Sequence, residues 1–143
     1  MAFNVPYVGP IHPNGNDGDT DVVHPWQKRH ARKYLISFVG STKGTKQNAL
    51  LRKLLKEACE HTADAATCNA APARGTADNL ERKWHSTFCL EPGGYSALRK
   101  SAIDSMLMQC IPVFFLRSNE RAHLWPAHWA NWRDEASVNI ARG

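Results

Sequence analysis

The chain has 143 residues, enough for one domain with its own core and too few for a complete two-domain transferase. With 43% hydrophobic and 22% charged residues it reads as a soluble globular protein, which excludes disordered and fibrous classes. A formal charge of +5, from 18 Lys and Arg against 13 Asp and Glu, favours anionic ligands, but the positive charges are scattered and a nucleic-acid partner is not expected.

Residues 1–30 carry prolines at 6, 10, 13 and 25 and the stretch NGNDGD, and read as an irregular lead-in. No run approaches the roughly 18 apolar residues that cross a bilayer, and the N-terminus lacks a basic segment followed by an apolar one. The basic group Lys28, Arg29, Arg32 and Lys33 reads as a solvated approach to the first strand. That strand, YLISFV over residues 34–39, is short, rich in β-branched and aromatic residues, and closed by Gly40.

Over residues 46–61, Leu50, Leu51, Leu54, Leu55 and Ala58 recur at helical spacing, predicting an amphipathic helix that buries this stripe. Residues 62–78 are rich in alanine, threonine and small polar side chains and read as a variable loop, followed by a short helix or turn over 79–84. Residues 86–90 form a second strand, ended by Pro92, Gly93 and Gly94. A helix follows over about 96–109, with Ser96 at its N-cap. The wholly apolar run 110–116 suits a parallel strand covered on both faces, with Pro112 near its start. The tryptophans at 125, 129 and 132 read as packing residues rather than a sugar platform, and residues 137–140 offer a last strand. The alternation predicts an α/β domain over 31–143, a Rossmann-like parallel sheet with flanking helices.

The four cysteines lack the paired spacing of a zinc site, so no metal is expected. Cys59 and Cys68 are placed to bridge in a secretory compartment, whereas Cys89 and Cys110, each in an apolar run, read as buried free thiols. The seven histidines are dispersed, and no catalytic residue is nominated.

In such a sheet, ligands bind beyond the carboxyl ends of the strands. Two ends are legible. After the first strand, Gly40, Ser41 and Lys43 form a loop that reads either as ordinary surface or as a backbone approach to phosphate. After the second, Gly93 and Gly94 deliver the chain to a helix start where Ser96, Arg99 and Lys100 gather donors for a diphosphate. The plainer reading leaves Ser96 a cap and Arg99 in solvent. Asp104 reads equally as a carboxylate for ribose hydroxyls or as a solvent-facing helical residue.

The run SxFCLEPGGYSALRKSAID at 86–104, followed by CIPVFF at 110–115, resembles the exostosin family of glycosyltransferases, whose pattern is S-x-F-C-L-x-P-x-G, D-S-x-x-R-R, an acidic residue about five positions on, and G-C-I-P-V. YLISFVGS at 34–41 and DVVHPW at 21–26 resemble further stretches of that family. The resemblance implies the C-terminal, donor-binding half of a GT-B glycosyltransferase, with a UDP-sugar donor, a glycan or glycoprotein acceptor, inversion at the anomeric carbon, and no cofactor or obligatory metal. It also implies a Golgi-type location and a missing N-terminal half that supplies the general base. Residue by residue, Ser96 and Arg99 match the positions near the diphosphate, and Asp104 the acidic position near the ribose. Tyr95 replaces the family's aspartate, Lys100 its second arginine, and Lys43 stands for the basic residue after the first loop. A different reading of the same residues is a noncatalytic module that binds a sugar nucleotide or glycan without the catalytic half.

Overall fold

A computed structural model of the chain describes residues 30–64, 66–71, 75–97, 99–122, 125–129 and 132–141. The expected lead-in, including DVVHPW and the basic pair Lys28 and Arg29, lies outside the described residues. Five strands are described, β1 (Tyr34–Val39), β2 (Cys68–Ala71), β3 (Ser86–Glu91), β4 (Ile111–Phe114) and β5 (Val138–Asn139). They form one sheet in the order β2-β1-β3-β4-β5, and every described pairing is parallel. The α/β, Rossmann-like reading of the sequence therefore holds.

Three longer helices connect the strands: α1 (Lys46–Glu60), α2 (Thr76–Trp84) and α3 (Lys100–Leu107). The order reverses once, because β2 lies on one side of β1 while β3, β4 and β5 follow on the other. Right-handed crossovers then put α1 on one face and α2 and α3 on the opposite face. The packing agrees, since α1 lies against β1 and β2 while α2 and α3 lie against each other and against β3.

β2 falls in the segment read as a loop. Its sequence, CNAA, has no β-branched residue, and its place comes from pairing Cys68, Asn69, Ala70 and Ala71 with Ile36, Ser37, Phe38 and Val39 of β1. Pro112, expected near a strand start, is the second residue of β4, one position before β5 begins to pair at Val113. A ladder hydrogen bond missing from its nitrogen is therefore tolerated there.

The apolar stripe of α1 follows the expectation only in part, with Leu51 and Leu55 half-buried and the rest turned outward. Leu50 and Leu54 are 59% and 53% exposed, whereas Asn48, Arg52 and Cys59 face inward. Thr45 caps this helix, its hydroxyl accepting from the Asn48 N–H. Arg32 is likewise not simply solvated. Its guanidinium donates to the carbonyls of Trp84, Met108 and Gln109, where α2 and α3 end.

Beyond β4, three short helical turns, α4 (Ser118–Ala122), α5 (Pro126–Trp129) and α6 (Arg133–Ala136), lead to β5. Trp125 and Trp129 are buried with Ala102, Phe114 and Leu116, so these two tryptophans close the core as expected. A second cluster, Phe38, Cys59 and Cys68, lies at the β1–β2 side. All four cysteines are bonded, Cys59 to Cys68 and Cys89 to Cys110. The free-thiol reading of Cys89 and Cys110 is thereby corrected. Parallel pairing of β3 with β4 sets Cys89 opposite Pro112, and so brings it within bridging reach of Cys110, with a Cα–Cα distance of 5.8 Å.

Candidate functional site

The reversal of strand order between β1 and β3 opens a crevice at their carboxyl ends, where a doubly wound sheet takes its ligands. A cleft of about 510 Å³ occupies that place, a volume suited to a small organic ligand. Val39, Gly40 and Ser41 line it from the end of β1, Leu90 and Glu91 from the end of β3, and Arg52 from α1. Asn79 and Lys83 come from α2, and Tyr95, Ser96, Arg99, Lys100, Ser101 and Asp104 from the loop after β3 and from α3.

Of the residues nominated from the sequence, Gly40, Ser41, Ser96, Arg99, Lys100 and Asp104 are thus brought together. Lys43 and Gly93 do not line the cleft. Lys43 is exposed, its backbone N–H donating to the Ser41 hydroxyl at 3.4 Å, and Gly93 contributes a carbonyl beneath the surface.

The two loops are fastened to each other from below. Arg52 is only 3% exposed, and its guanidinium donates to the carbonyls of Ser41 at 2.5 Å, Pro92 at 2.9 Å and Gly93 at 3.3 Å. Asn48 donates its amide to the Gly94 carbonyl at 2.8 Å, and the Thr45 N–H reaches the same oxygen at 3.1 Å. The loops approach so closely that a Cβ on Gly44 would sit 2.9 Å from the Gly94 oxygen. A Cβ on Gly94 would run into the Arg99 guanidinium, so glycine here lets the arginine lie flat across the turn.

Ser96 is not the helix cap. Its carbonyl turns back to accept from the Gly94 N–H at 2.8 Å, which closes the loop on itself. The helix begins four residues later than Ser96, at Lys100, after an extended Arg99 at φ −136° and ψ 148°. Arg99 therefore stands at the junction of loop and helix instead of within the first turn.

The cleft is electropositive, with Arg52, Lys83, Arg99 and Lys100 against Glu91 and Asp104. Burial, and after it the charge of Arg99, lower the Arg52 pKa to about 10 against the opposing pull of Glu91, so Arg52 stays charged at neutral pH. Lys83 and Glu91 form a buried ion pair, Nζ to Oε1 at 2.5 Å. Lys83 also donates to the Ser105 hydroxyl at 2.6 Å and the Ser101 carbonyl at 3.2 Å. Glu91 accepts from the hydroxyls of Ser101 at 3.2 Å and Ser105 at 2.6 Å.

Asp104 is buried rather than solvent-facing, with Lys100 at 3.1 Å on Oδ2 and no hydrogen-bond partner on Oδ1. Burial raises its pKa against the pull of Lys100 and Lys83, with Glu91 adding to the rise. Arg52, Lys83, Glu91 and Asn79 escaped the sequence reading. A lone arginine or lysine on an amphipathic helix carries no pattern that separates a buried position from a solvated one.

The chain matches the family model of the exostosin GT47 domain over residues 1–142. It is 32% identical over 135 residues to a probable xyloglucan galactosyltransferase, GT15, of Arabidopsis thaliana, covering 86% of this chain and 27% of that protein. It is 32% identical to the xyloglucan galactosyltransferase MUR3 of the same plant, covering 79% of this chain and 19% of that protein. With the xyloglucan-specific galacturonosyltransferase 1, also of Arabidopsis thaliana, identity is 31%, over 78% of this chain and 17% of the relative. The chain spans about a quarter or less of the length of these relatives. No solved structure matches it. With a family model that spans nearly every residue and a sheet of the kind the motifs implied, the chain belongs to the exostosin GT47 family.

Proposed function

We propose that this chain is the donor-binding domain of a glycosyltransferase and holds a nucleoside-diphosphate sugar, a UDP-sugar, in the cleft at the ends of β1 and β3. The observation that carries this reading is the placement of Arg99 across the Gly94 turn, beside the buried Arg52 and with Lys100 at the helix start. Cations held on rigid loops meet the charge of a diphosphate in the ground state and the additional charge that develops as it leaves. In this reading the side chains neutralise the leaving group and no metal is required. Ser41 and Ser96 supply hydroxyls at the same loops, and Asp104 the acceptor for a ribose.

The transfer inverts the anomeric carbon. An acceptor hydroxyl oxygen bonds to that carbon as its bond to the diphosphate breaks, the diphosphate departs with the electron pair, and a general base takes the hydroxyl proton. That base and the acceptor site belong to a second half in a GT-B arrangement. The relatives' names, as xyloglucan galactosyltransferases, make galactose the first sugar to test on the proposed UDP donor, with a glycan as acceptor. Two disulfides favour an oxidising compartment, which supports a Golgi-type secretory location.

Calorimetric titration with UDP, without added metal, tests the proposal. The wild-type chain is expected to bind, and Arg99→Ala to weaken binding by about tenfold or more, the loss of a charged hydrogen-bond donor to phosphate. A wild-type chain that takes up no UDP overturns it.

A further inference from the structure

We infer that a second groove, adjoining the donor cleft at Tyr95, binds a neutral glycan with Tyr95 as its stacking platform; its part in transfer rests on the donor-site reading above. The groove has a volume of about 490 Å³ and also lies at the carboxyl edge of the sheet. Thr45, Lys46 and Gln47 line it from the start of α1, Tyr95 and Ala97 from the loop after β3, and Glu120 from α4. Among the described residues, Tyr95 alone lines both the groove and the donor cleft.

The walls of the groove are fastened to one another without a ligand. The Thr45 N–H and the Asn48 carboxamide both donate to the Gly94 carbonyl, at 3.1 Å and 2.8 Å, and Tyr95 is the next residue. The wall after β4 is tied to α1 as well. The Arg117 guanidinium donates to Gln47 Oε1 at 2.8 Å, and the Arg117 N–H donates to the Glu120 carboxylate at 2.9 Å. The backbone that carries Tyr95 is therefore held in place, while the side chain is 78% exposed. A tyrosine ring on a fixed backbone has only two torsions to order, so it offers contact area at low entropic cost.

The groove and the cleft differ in charge. The cleft sets Arg52, Lys83, Arg99 and Lys100 against Glu91 and Asp104, whereas the groove sets Lys46 against Glu120. An anion is drawn to the first and gains nothing from the second, so the groove suits an uncharged ligand. Beside the Tyr95 ring it offers the hydroxyl of Thr45 and the carboxamide of Gln47, and Thr45, Lys46 and Gln47 are all exposed. That set fits a glycan of β-linked glucosyl units, whose ring faces are C–H surfaces and whose peripheral hydroxyls both donate and accept. Tyr95 stands where the family pattern has an aspartate, a side chain with no face on which a sugar ring can stack. The reacting unit of the acceptor and its base stay with the second half, and the groove holds units of the same glycan beyond it.

Chemical-shift titration of the isotope-labelled chain with cellotetraose, a neutral β-linked glucan, tests this, alone and in the presence of UDP. Shifts are expected at Gln47, Tyr95 and Ala97 in both cases. Tyr95→Ala is expected to weaken cellotetraose about fivefold to tenfold and Tyr95→Phe to keep it, because the ring carries the contact. Gln47→Ala, which keeps α1 intact because alanine is the better helix former, should weaken cellotetraose about fivefold and leave UDP at the wild-type affinity. No shifts with cellotetraose, its displacement by UDP, or wild-type affinity for it in Tyr95→Ala overturns the groove and leaves the donor-site reading standing. A wild-type chain that binds cellotetraose through these residues but takes up no UDP supports the groove and overturns the donor site.

Discussion

Arg52 is a charged side chain whose burial is matched by fixed carbonyl groups, and the cleft depends on it. Its fork spans the carbonyls of Ser41, Pro92 and Gly93, which belong to the two loops that form the phosphate end. Hydrogen bonds to a charged group contribute about 1.5–3 kcal/mol each, and three orphaned carbonyls would cost more. Arg52→Ala is therefore expected to lower the unfolding free energy by about 3 kcal/mol in urea titrations. Arg52→Lys should recover only part of this, since one ammonium cannot span both loops. Asp104 presents the opposite case, a carboxylate whose burial is matched only on one oxygen. Its pKa is raised chiefly by burial, so the folded state holds its proton to a higher pH than the unfolded chain. Below the ordinary aspartate value both states are protonated and the residue adds no pH dependence. As the pH rises through the window above that value, the unfolded chain ionises first and the folded state loses stability. Asp104→Asn removes this loss, at the expense of a half-exposed ion pair with Lys100 worth roughly 0.3–0.5 kcal/mol. Thermal melts at about pH 4 and pH 7 should show a smaller fall in Tm for the variant than for the wild type. An unchanged difference between the two pH values would rule out this account of Asp104.

At the scale of elements, the Lys83–Glu91 pair joins α2, β3 and α3, because both charges bond the Ser105 hydroxyl while Glu91 accepts from the Ser101 hydroxyl and Lys83 donates to the Ser101 carbonyl. Lys83→Met leaves Glu91 buried without its cation, and is expected to destabilise by about 3–5 kcal/mol. Lys83→Met combined with Glu91→Leu removes both charges, and should recover most of that loss; a double variant less stable than Lys83→Met would show that the pair stabilises beyond its own desolvation. The pair also marks where sequence pattern stops being informative. β1, β3 and β4 were legible because each is a short apolar run closed by a glycine, a proline or a polar loop. β2 was not, because CNAA has no strand signal and is set by its neighbour β1 and by Cys68. The periodicity of α1 identified a helix but not its orientation. Asn48 and Arg52 turn inward to hold the loops, and Leu50 and Leu54 turn outward. For the cleft, the glycine turn and Arg99 were readable as local chemistry. Residues that reach it from α1 and α2 were not, since only the strand order brings them to one edge.

Across the whole molecule, the two disulfides fasten different parts of the sheet, and their removal should separate stability from ligand binding. Cys59–Cys68 ties the end of α1 to the edge strand β2 across 9 residues of sequence. Cys89–Cys110 ties the middle of β3 to the start of β4 across 21 residues. Loop-closure entropy alone gives about 2.5 kcal/mol for the shorter bridge and about 3.3 kcal/mol for the longer. The longer bridge also lies nearer the cleft, because Cys89 precedes Glu91 by two residues on the strand that delivers the Gly94 turn. No residue of β2 lines the cleft, whereas β3 contributes Leu90 and Glu91. Replacing Cys59 and Cys68 with alanine is therefore expected to lower Tm while leaving UDP affinity at the wild-type value. Replacing Cys89 and Cys110 should lower Tm further and weaken UDP as well, because the end of β3 is then held by pairing alone. Differential scanning fluorimetry with and without UDP reads both quantities on the same samples. If the Cys59 and Cys68 variant lost UDP as completely as the Cys89 and Cys110 variant, the cleft would depend on the edge strand, and the division of the sheet between an anchoring side and a binding side would be wrong.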